Sequence, residues 1–582
     1  MSNAPKTSSG VPPWGVFPSA VPSLLRDLPI LVAGFALFYG LLTFARYGTG
    51  PVNTQAEIQL YPGALPKYAL FSVMRIAVAY FLSLGFTLVY GYVAAYNRKA
   101  ERFMIPLLDV LQSIPVLSFL PGVMLAMIAL FPRSQLGVEL GCILLILTGQ
   151  VWNMTFSFYS SLKSIPREMH EAAAVYRLSW WQRLWQMELP YAAIGLIWNS
   201  IMSVAGAWFF LMACEMFVLG DRNVRIPGLG SYLQTAANAG DMRSIAWGLG
   251  VMVAIIVLLD QVVWRPIIAW AEKFKFEQVE AAEPTRSPIL DLLRRSKIIP
   301  LVAKMSIRPA REALNLHFAK AAAQQSEPAQ RVKIRPWAWR AFLLVALAAI
   351  GYAVIGMGRM LVALSSAEFR TIALGAAATF LRVEVTLVLA GLWTIPVGVF
   401  VGMRPKLSAL VQPLAQIAAS VPATALFPVV LLMLIRLGGG MGIGSIALLL
   451  LGTQWYILFN VIAGASAIPT DLKEVCGVFR LGRVERWRKL FLPGIFPYLI
   501  TGFITASGGA WNASIVAEYF HFQGKTLSTV GLGAVISHAT DTGNFRVLLA
   551  ATICMAAMVV TLNRFIWRRL YALASTKFKL EI

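Results

Sequence analysis

The chain has 582 residues, of which 58% are hydrophobic and only 13% are charged, and its mean hydropathy is +0.68. Soluble proteins carry roughly a quarter charged residues, so this composition excludes a soluble globular protein and predicts an all-α polytopic membrane protein. The formal net charge is +23. In a membrane protein such a charge indicates basic cytoplasmic loops, and we expect no nucleic-acid partner.

The N-terminal stretch, residues 1–27, is polar and rich in proline. It lacks the basic segment, short apolar segment and small-residue cleavage site of a secretory signal, so we interpret it as an uncleaved cytoplasmic tail. Residues 28–265 then form a first predicted transmembrane domain. Its six apolar segments lie near 28–45, 68–96, 104–130, 138–160, 190–217 and 243–264. Pro115 and Pro121 should kink the third of these helices.

A polar segment, residues 266–337, separates this domain from the second one. It contains the basic stretch "RRSK" and is interpreted as a cytoplasmic linker with one or two short amphipathic helices. Residues 338–568 form the second predicted domain, followed by a cytoplasmic C-terminal tail at 569–582. Its six apolar segments lie near 338–363, 371–402, 408–435, 442–463, 493–520 and 546–567, and Pro422 and Pro428 should again kink the third helix.

The two domains are copies of one unit, because landmarks in the first recur 303 positions later in the same order. The recurring motifs include Ile-Pro at 165 and 468, Gly-Ala-Trp at 206 and 509, and Gly-Leu-Gly at 228 and 531. An even number of helices per unit gives both copies the same orientation, so these are tandem parallel repeats. Placing the basic loops on the cytoplasmic side also places both termini there, although Arg222 and Arg225 then lie outside.

One polar loop is repeated with fixed spacing, as "IPREMHEAAAVYRLSWWQRLWQMELP" at 165–190 and "IPTDLKEVCGVFRLGRVERWRKLFLP" at 468–493. The alanine-rich stretch predicts a short helix that begins just after Pro166 and lies outside the bilayer. A single copy would suit an ordinary interfacial helix. Two copies on the same side of the membrane favour a docking surface for a two-fold symmetric soluble partner.

This loop, with "EAA" followed by "LP" nineteen residues after Glu171, resembles the EAA loop of the permease subunits of bacterial ABC importers. The motifs "SIPV", "SVPA" and "GLG" are similar to those of the branch that imports nitrate, sulfonates, taurine and related compounds. The resemblance implies a type I ABC importer fold in which each loop inserts a coupling helix into a separate ATPase subunit, with two copies of that subunit per chain. The implied coupling residues are Glu171, Ala172, Ala173, Arg177, Leu178, Glu474, Arg480 and Leu481.

Two departures from the family pattern concern these loops. The family commonly has glycine six residues after the glutamate, where this chain has Arg177 and Arg480. If the bend needs a positive φ, a side chain there costs on the order of 1 kcal/mol, so we expect the turn to be placed elsewhere. The second copy reads "EVCG" in place of "EAAA", so the two docking sites need not be equivalent.

The sequence offers no enzymatic motif. The Gly-Lys-Thr of "FQGKTLS" at 522–528 lacks the first glycine of a phosphate-binding loop, since Tyr519 and Phe520 stand in that region. Four isolated cysteines, Cys142, Cys214, Cys476 and Cys554, give neither a disulfide framework nor a metal site. We therefore expect no catalytic residue, metal or cofactor in this chain. By resemblance, ATP and Mg²⁺ belong to the partner ATPase, an extracytoplasmic solute-binding protein delivers a small anionic solute, and the chain resides in the bacterial inner membrane.

Polar residues within the apolar segments are candidates for the translocation path, namely Asn199, Ser203, Trp208, Trp511, Asn512, Arg75 and Arg382. The small and polar positions of the fifth helices equally suit close helix packing. The two arginines either attract an anion or extend to the membrane interface. Glu215 and Glu518 end the fifth helices at the external face. They either shape the docking face for the binding protein, pair with a nearby arginine, or are solvated helix ends.

Two other functions remain open. A secondary transporter with parallel repeats would use an ion gradient and no ATPase. The repeated EAA-like loop speaks against this alternative, because such a carrier does not require it. A membrane scaffold without transport is the other alternative, and the polar positions within the helices speak weakly against it.

Overall fold

The fold was obtained as a computed structural model, which describes residues 23–53, 56–219, 222–274, 287–296, 308–324, 354–436, 440–522 and 525–577, with single residues at 300, 304, 305, 344, 348, 351 and 352. Most of the predicted N-terminal tail and nearly half of the linker lie outside the described residues. So do the first part of the predicted helix at 338–363, apart from single residues, and the last residues of the C-terminal tail.

Helices dominate the first half, in agreement with the all-α prediction. The elements are α1 (Ser23–Gly48), α2 (Leu65–Tyr96), α3 (Arg98–Ser113), α4 (Leu120–Leu130), α5 (Leu136–Lys163), α6 (Arg167–Val175), α7 (Trp180–Arg183), α8 (Leu189–Glu215), β1 (Met216–Leu219), β2 (Arg222–Arg225), α9 (Leu229–Ala239), α10 (Met242–Leu259) and α11 (Arg265–Ala271). Two helices of the linker follow, α12 (Pro288–Arg295) and α13 (Arg308–Gln324).

The second half repeats this order of elements. It contains α14 (Ser366–Gly402), α15 (Pro405–Ser420), α16 (Ala423–Arg436), α17 (Met441–Ser466), α18 (Thr470–Val478), α19 (Arg483–Arg486), α20 (Leu492–Ala517), β3 (Tyr519–Phe522), β4 (Lys525–Ser528), α21 (Leu532–Asp541), α22 (Phe545–Leu562) and α23 (Arg568–Lys577). The repeat extends to fine detail, since a π-helical turn precedes α8 at Leu184–Glu188 and precedes α20 at Trp487–Phe491.

Within the described residues, nine helical stretches are long and apolar enough to cross a membrane, so the prediction of a polytopic membrane protein is confirmed. They are Asp27–Gly48, Pro62–Tyr96, Leu136–Lys163, Trp180–Glu215, Met242–Ala271, Ser366–Gly402, Met441–Ser466, Arg483–Ala517 and Phe545–Ala574. In each half the second, fourth and fifth spans form the centre of the bundle, because α2, α5 and α8 pack together as α14, α17 and α20 do.

The third predicted helix of each half differs from expectation. The segment 104–130 is not one kinked helix but two helices, Arg98–Gln112 and Val116–Leu130, that meet at 86°. Proline removes a backbone donor and restricts the residue before it, so Ile114-Pro115 ends the first helix. Pro121 lies in the first turn of α4, where proline is tolerated, and causes no kink. In the second half the same break separates α15 from α16 at Val421-Pro422.

Two β-hairpins were not predicted. β1 pairs with β2, and β3 pairs with β4, each as an antiparallel ribbon of two strands at the end of a fifth helix. Each hairpin leads into a short helix, α9 or α21, that begins at the repeated Gly-Leu-Gly motif. These elements lie at the opposite end of α8 and α20 from the repeated polar loops.

Candidate coupling loops and buried ion pairs

The repeated loop forms the short helix that the sequence predicts. α6 begins at Arg167, directly after Pro166, and ends at Val175. Its counterpart α18 runs from Thr470 to Val478. Each lies between two membrane-spanning helices. At the other end of the fifth helices, β1 contacts α21 and β3 contacts α9, so both short helices lie at the same end of the bundle.

The turn after each helix lies at the position where the family has glycine, so the expectation that it is displaced was wrong. Arg177 has φ of 49° and Arg480 has φ of 48°. Leu178 donates its N–H to the Ala173 carbonyl and Arg177 donates to that of Ala174, both at 3.0 Å, which is a Schellman end with arginine as the left-handed residue. The backbone accepts the strain because these bonds satisfy carbonyls at the helix end.

One side of each short helix faces the membrane domain and the other is exposed. Ala173 is 6% exposed and packs with Leu178 on a small apolar cluster, and its counterpart Cys476 is 8% exposed. Glu171 and Glu474 are exposed. The tip of each helix presents two apolar side chains that are about three-quarters exposed or more, Val175 and Tyr176 in the first copy and Val478 and Phe479 in the second. An exposed apolar pair beside an arginine is typical of a contact surface.

The first loop is tied to the membrane domain by an ion pair that the second loop lacks. Arg183 donates to Glu188 at 2.7 Å, and the Tyr96 hydroxyl donates to the same carboxylate at 2.7 Å. Glu188 is fully buried. Its counterpart in the repeat is Phe491. Upstream of Pro121 the two copies are offset by 307 positions, so the counterpart of Tyr96 is Met403. The sequence analysis missed Glu188, although the exchange of a glutamate for phenylalanine between aligned copies would have signalled it.

The linker contacts the first loop as well. On α13, Phe318 stacks on Trp181 with ring centroids 5.2 Å apart and meets Trp180 edge-on at 5.0 Å. The second loop has Arg483 and Val484 at the positions of the two tryptophans, and Val484 is 70% exposed. The two loops therefore present different surroundings around similar helices.

At the other end of the first half, a buried cluster surrounds Arg75. Its guanidinium binds Glu139 through two hydrogen bonds of 2.7 Å and Glu215 through a third of 2.7 Å. Arg75 and Glu215 are 0% exposed, and Ser72 also donates to Glu215 at 2.6 Å. Arg75 thus neither attracts an anion to an open path nor reaches the interface, and Glu215 takes the second of its three expected roles, pairing with arginine. Glu139 was not identified from the sequence.

The second half contains a reduced version of this cluster. Arg382 pairs with Glu518, Thr379 donates to the same carboxylate at 2.7 Å, and Arg382 also donates to the Val530 carbonyl at 3.0 Å. Gly442 stands at the position of Glu139, so one carboxylate is missing. Glu518 is 0% exposed, like Glu215, and neither carboxylate forms an external docking face in this conformation.

The repeated Gly-Leu-Gly motif encloses these carboxylates. Gly230 donates its N–H to Glu215 at 2.6 Å, and Gly533 donates to Glu518 at 2.8 Å, each in the first turn of a helix where the partial positive charge favours an anion. A Cβ at Gly228 would lie 2.2 Å from the Glu215 carboxylate. Glycine is required there because the backbone passes directly over the buried charge.

Most of the remaining candidates for the translocation path are buried or bonded to the backbone of the bundle. Trp208 and Trp511 are each 1% exposed in the apolar core, and Ser203 donates to the Gln150 carbonyl at 2.9 Å. Asn199 donates to the Gly195 carbonyl on its own helix at 2.9 Å. A pocket of about 290 Å³ lies elsewhere, between α16 and α17, and is lined by Val430, Met433, Leu434, Ala447, Leu450, Leu451 and Gln454.

The family of binding-protein-dependent transport system inner membrane components matches this chain twice, at residues 87–263 and 394–574. The chain belongs to this family. The two matches include both polar loops and confirm that the family unit is present twice in one polypeptide. The protein is accordingly a multi-pass permease component of the inner membrane, and it is not itself the ATPase.

Relatives of this permease include the bicarbonate transport system permease protein CmpB of Synechococcus elongatus, 29% identical over 32% of this chain and 65% of the relative. The nitrate import permease protein NrtB of Leptolyngbya laminosa is 27% identical over 33% of this chain and 64% of the relative. A putative aliphatic sulfonates transport permease protein, SsuC of Bacillus subtilis, is 22% identical over 37% of this chain and 73% of the relative. The chain therefore spans slightly less than two thirds of the first two relatives.

Proposed function

We propose that this protein is the membrane part of an ATP-driven importer, with two permease domains fused in one chain. Family membership carries the proposal, since each half contains the family unit. In this proposal residues 28–265 and 338–568 are the two permease domains. The linker at 266–337 and both terminal tails lie in the cytoplasm.

The two polar loops are proposed to dock two copies of an ATPase subunit. Support comes from the pair of short helices at one end of the bundle and from their exposed apolar tips, Tyr176 and Phe479. Glu171, Ala172, Arg177 and Leu178 of the first copy, with Glu474, Arg480 and Leu481 of the second, would form the contact surface. ATP and Mg²⁺ would bind the ATPase, whose closure would move the two halves between inward-open and outward-open states.

The proposed substrate is a small anion of the bicarbonate, nitrate or sulfonate class. Support comes from what the relatives are named to carry, and not from Arg75 or Arg382, because buried carboxylates neutralise both. An extracytoplasmic solute-binding protein would deliver the anion at the end of the bundle opposite the loops. Lipid would cover the exposed apolar surface.

The first experiment combines purification with transport. The tagged chain, solubilised gently from its native membrane, should retain an ATPase at two copies per chain. Glu171→Arg combined with Glu474→Arg should lower ATP-dependent anion uptake more than tenfold without changing the amount of folded protein. Both side chains are exposed, so reversing their charge should prevent the ATPase from docking without disturbing the packing of the permease.

Glu57→Arg provides the matched control, since Glu57 is exposed at the opposite end of the bundle. The number of ATPase subunits that the control retains on purification should equal that of the wild type. Normal ATP-dependent uptake by the double variant would contradict the coupling role of the loops. Uptake that follows an ion gradient, with no ATPase bound, would favour the secondary-transporter alternative.

A further inference from the structure

The turn at the break in the third helix of the first half is held by the second half. Val116 begins this turn, Val116–Phe119, and donates its backbone N–H to Oδ1 of Asn512 on α20 at 2.7 Å. Because Val116 N–H is a donor, the acceptor must be the amide oxygen of Asn512. The Asn512 NH2 group donates to the Gly508 carbonyl of its own helix at 3.1 Å, which is consistent with this orientation.

A second, longer contact reaches the same turn. The Thr552 hydroxyl on α22 lies 3.5 Å from the Ser118 carbonyl oxygen, at the limit of hydrogen-bond distance. Val116 and Ser118 are 4% and 2% exposed. Side chains from two helices of the second half thus approach one buried turn of the first half.

The corresponding break in the second half lacks these contacts among the described residues. The equivalent break in the second half is at Val421-Pro422, and α8 packs against the two helices, α15 and α16, that flank it. The residues of the first half at the positions of Asn512 and Thr552 are Phe209 and Leu249, neither of which offers a hydrogen-bonding side chain. Next to that break the Thr424 hydroxyl is buried without a hydrogen-bond partner.

The physical importance of Asn512 follows from where the break lies. A helix that ends inside a bilayer leaves backbone groups without water to bind, and each unsatisfied group costs several kcal/mol. Pro115, the residue before this turn, provides no side-chain acceptor for it, and the Ser118 hydroxyl donates to the Pro115 carbonyl at 2.6 Å. Any movement that separates Asn512 from Val116 therefore exposes an unsatisfied N–H unless another acceptor replaces it.

We propose that Asn512 is a positioning residue that fastens the break of the first half to α20 of the second half, while the equivalent break of the second half stays unfastened. The two halves of the transport unit would then move unequally, with more sliding where α8 meets α15 and α16. This inference goes beyond the proposed function in assigning the asymmetry to one residue. Its effect on uptake, but not the fastening itself, rests on that function.

Hydrogen exchange on the full chain in detergent tests the fastening directly. In Asn512→Leu, amide exchange of the peptide covering residues 113–119 should rise about tenfold, which corresponds to about 1.4 kcal/mol of lost protection. Exchange of residues 420–426 should not change. Asn512→Asp retains an acceptor oxygen at the same distance and should preserve protection. Thr505→Val is the matched control, because its hydroxyl bonds only to Thr501 of the same helix.

ATP-dependent uptake in the same variants tests the positioning role. Asn512→Leu should lower uptake several-fold per ATP hydrolysed, with Asn512→Asp and Thr505→Val close to the wild type. Unchanged exchange at 113–119 in Asn512→Leu would overturn the fastening, and raised exchange with unchanged coupling would overturn the positioning role. If the wild type shows no ATP-dependent uptake, the proposed function is contradicted. The hydrogen-exchange experiment would still test whether Asn512 holds the turn at Val116.

Discussion

Arg177 and Arg480 occupy a backbone region that L-residues other than asparagine and aspartate seldom adopt, and they do so in both copies of the loop. A side chain at positive φ costs about 1 kcal/mol or more, and strain kept at two equivalent positions is typical of a functional site. We therefore expect the guanidinium group of each arginine, which lies beside the exposed apolar tip of its helix, to be the functional reason for the strained backbone.

The role of Arg177 can be separated from the turn by two substitutions. Arg177→Gly should keep the turn and raise thermal stability slightly, by about 1 kcal/mol or less, because glycine adopts positive φ without strain. Arg177→Ala keeps the strain and loses the cation. If the charge serves docking, both variants should weaken ATPase binding equally in a pull-down; full binding by Arg177→Gly alone would assign the position to turn geometry.

The two buried ion-pair clusters should respond differently to loss of one carboxylate. In Glu518→Gln, Arg382 loses the carboxylate with which it pairs, and removing one partner of a buried pair costs about 3–5 kcal/mol. In Glu215→Gln, Arg75 still has Glu139, so we expect a smaller cost of about 1–3 kcal/mol. Thermal unfolding in detergent measures both, and equal destabilisation would contradict the contribution of Glu139.

At the scale of elements, repeated sequence does not give repeated anchoring. α6 and α18 have the same length and the same strained end, yet Arg183 and Glu188 tie the first loop to α2 and Phe318 covers its tryptophans. The second loop has Phe491 and Val484 at the corresponding positions. The inequivalence that the sequence suggested from "EVCG" thus extends to residues outside the helix itself.

The contact between the linker helix and the first loop should depend on one aromatic side chain. Phe318→Ala removes the stack on Trp181 and should increase protease cleavage within 308–324 several-fold, because the helix loses the aromatic ring that packs it against α7. Leu316→Ala is the control, since Leu316 is 60% exposed on the same helix. Equal cleavage of both variants would show that α13 is held by other contacts.

At the scale of the whole molecule, Asn512 of the second unit joins the broken third helix of the first unit at Val116. Charge reversal at Glu171 and Glu474 tests the proposed docking of an ATPase on the two loops, and substitution of Asn512 tests how the halves move against each other. We expect charge reversal to weaken ATPase binding, and substitution of Asn512 to lower uptake per ATP hydrolysed without weakening that binding. This pair of results would separate docking of the ATPase from coupling between the two halves.

The sequence by itself determined the membrane class, the duplication and the two short helices of the repeated loops. Hydropathy, helix propensity and motif spacing are local properties of the chain, so they can be recognised without knowledge of tertiary contacts. The sequence could not determine that Glu139 joins Arg75 and Glu215, that Glu188 anchors one loop, or that Asn512 caps the opposite half. These groups are 64, 92 and 396 residues from their partners Arg75, Tyr96 and Val116. Only the packed bundle brings them together, and it does so because charges and backbone donors removed from water must find partners wherever the fold provides them.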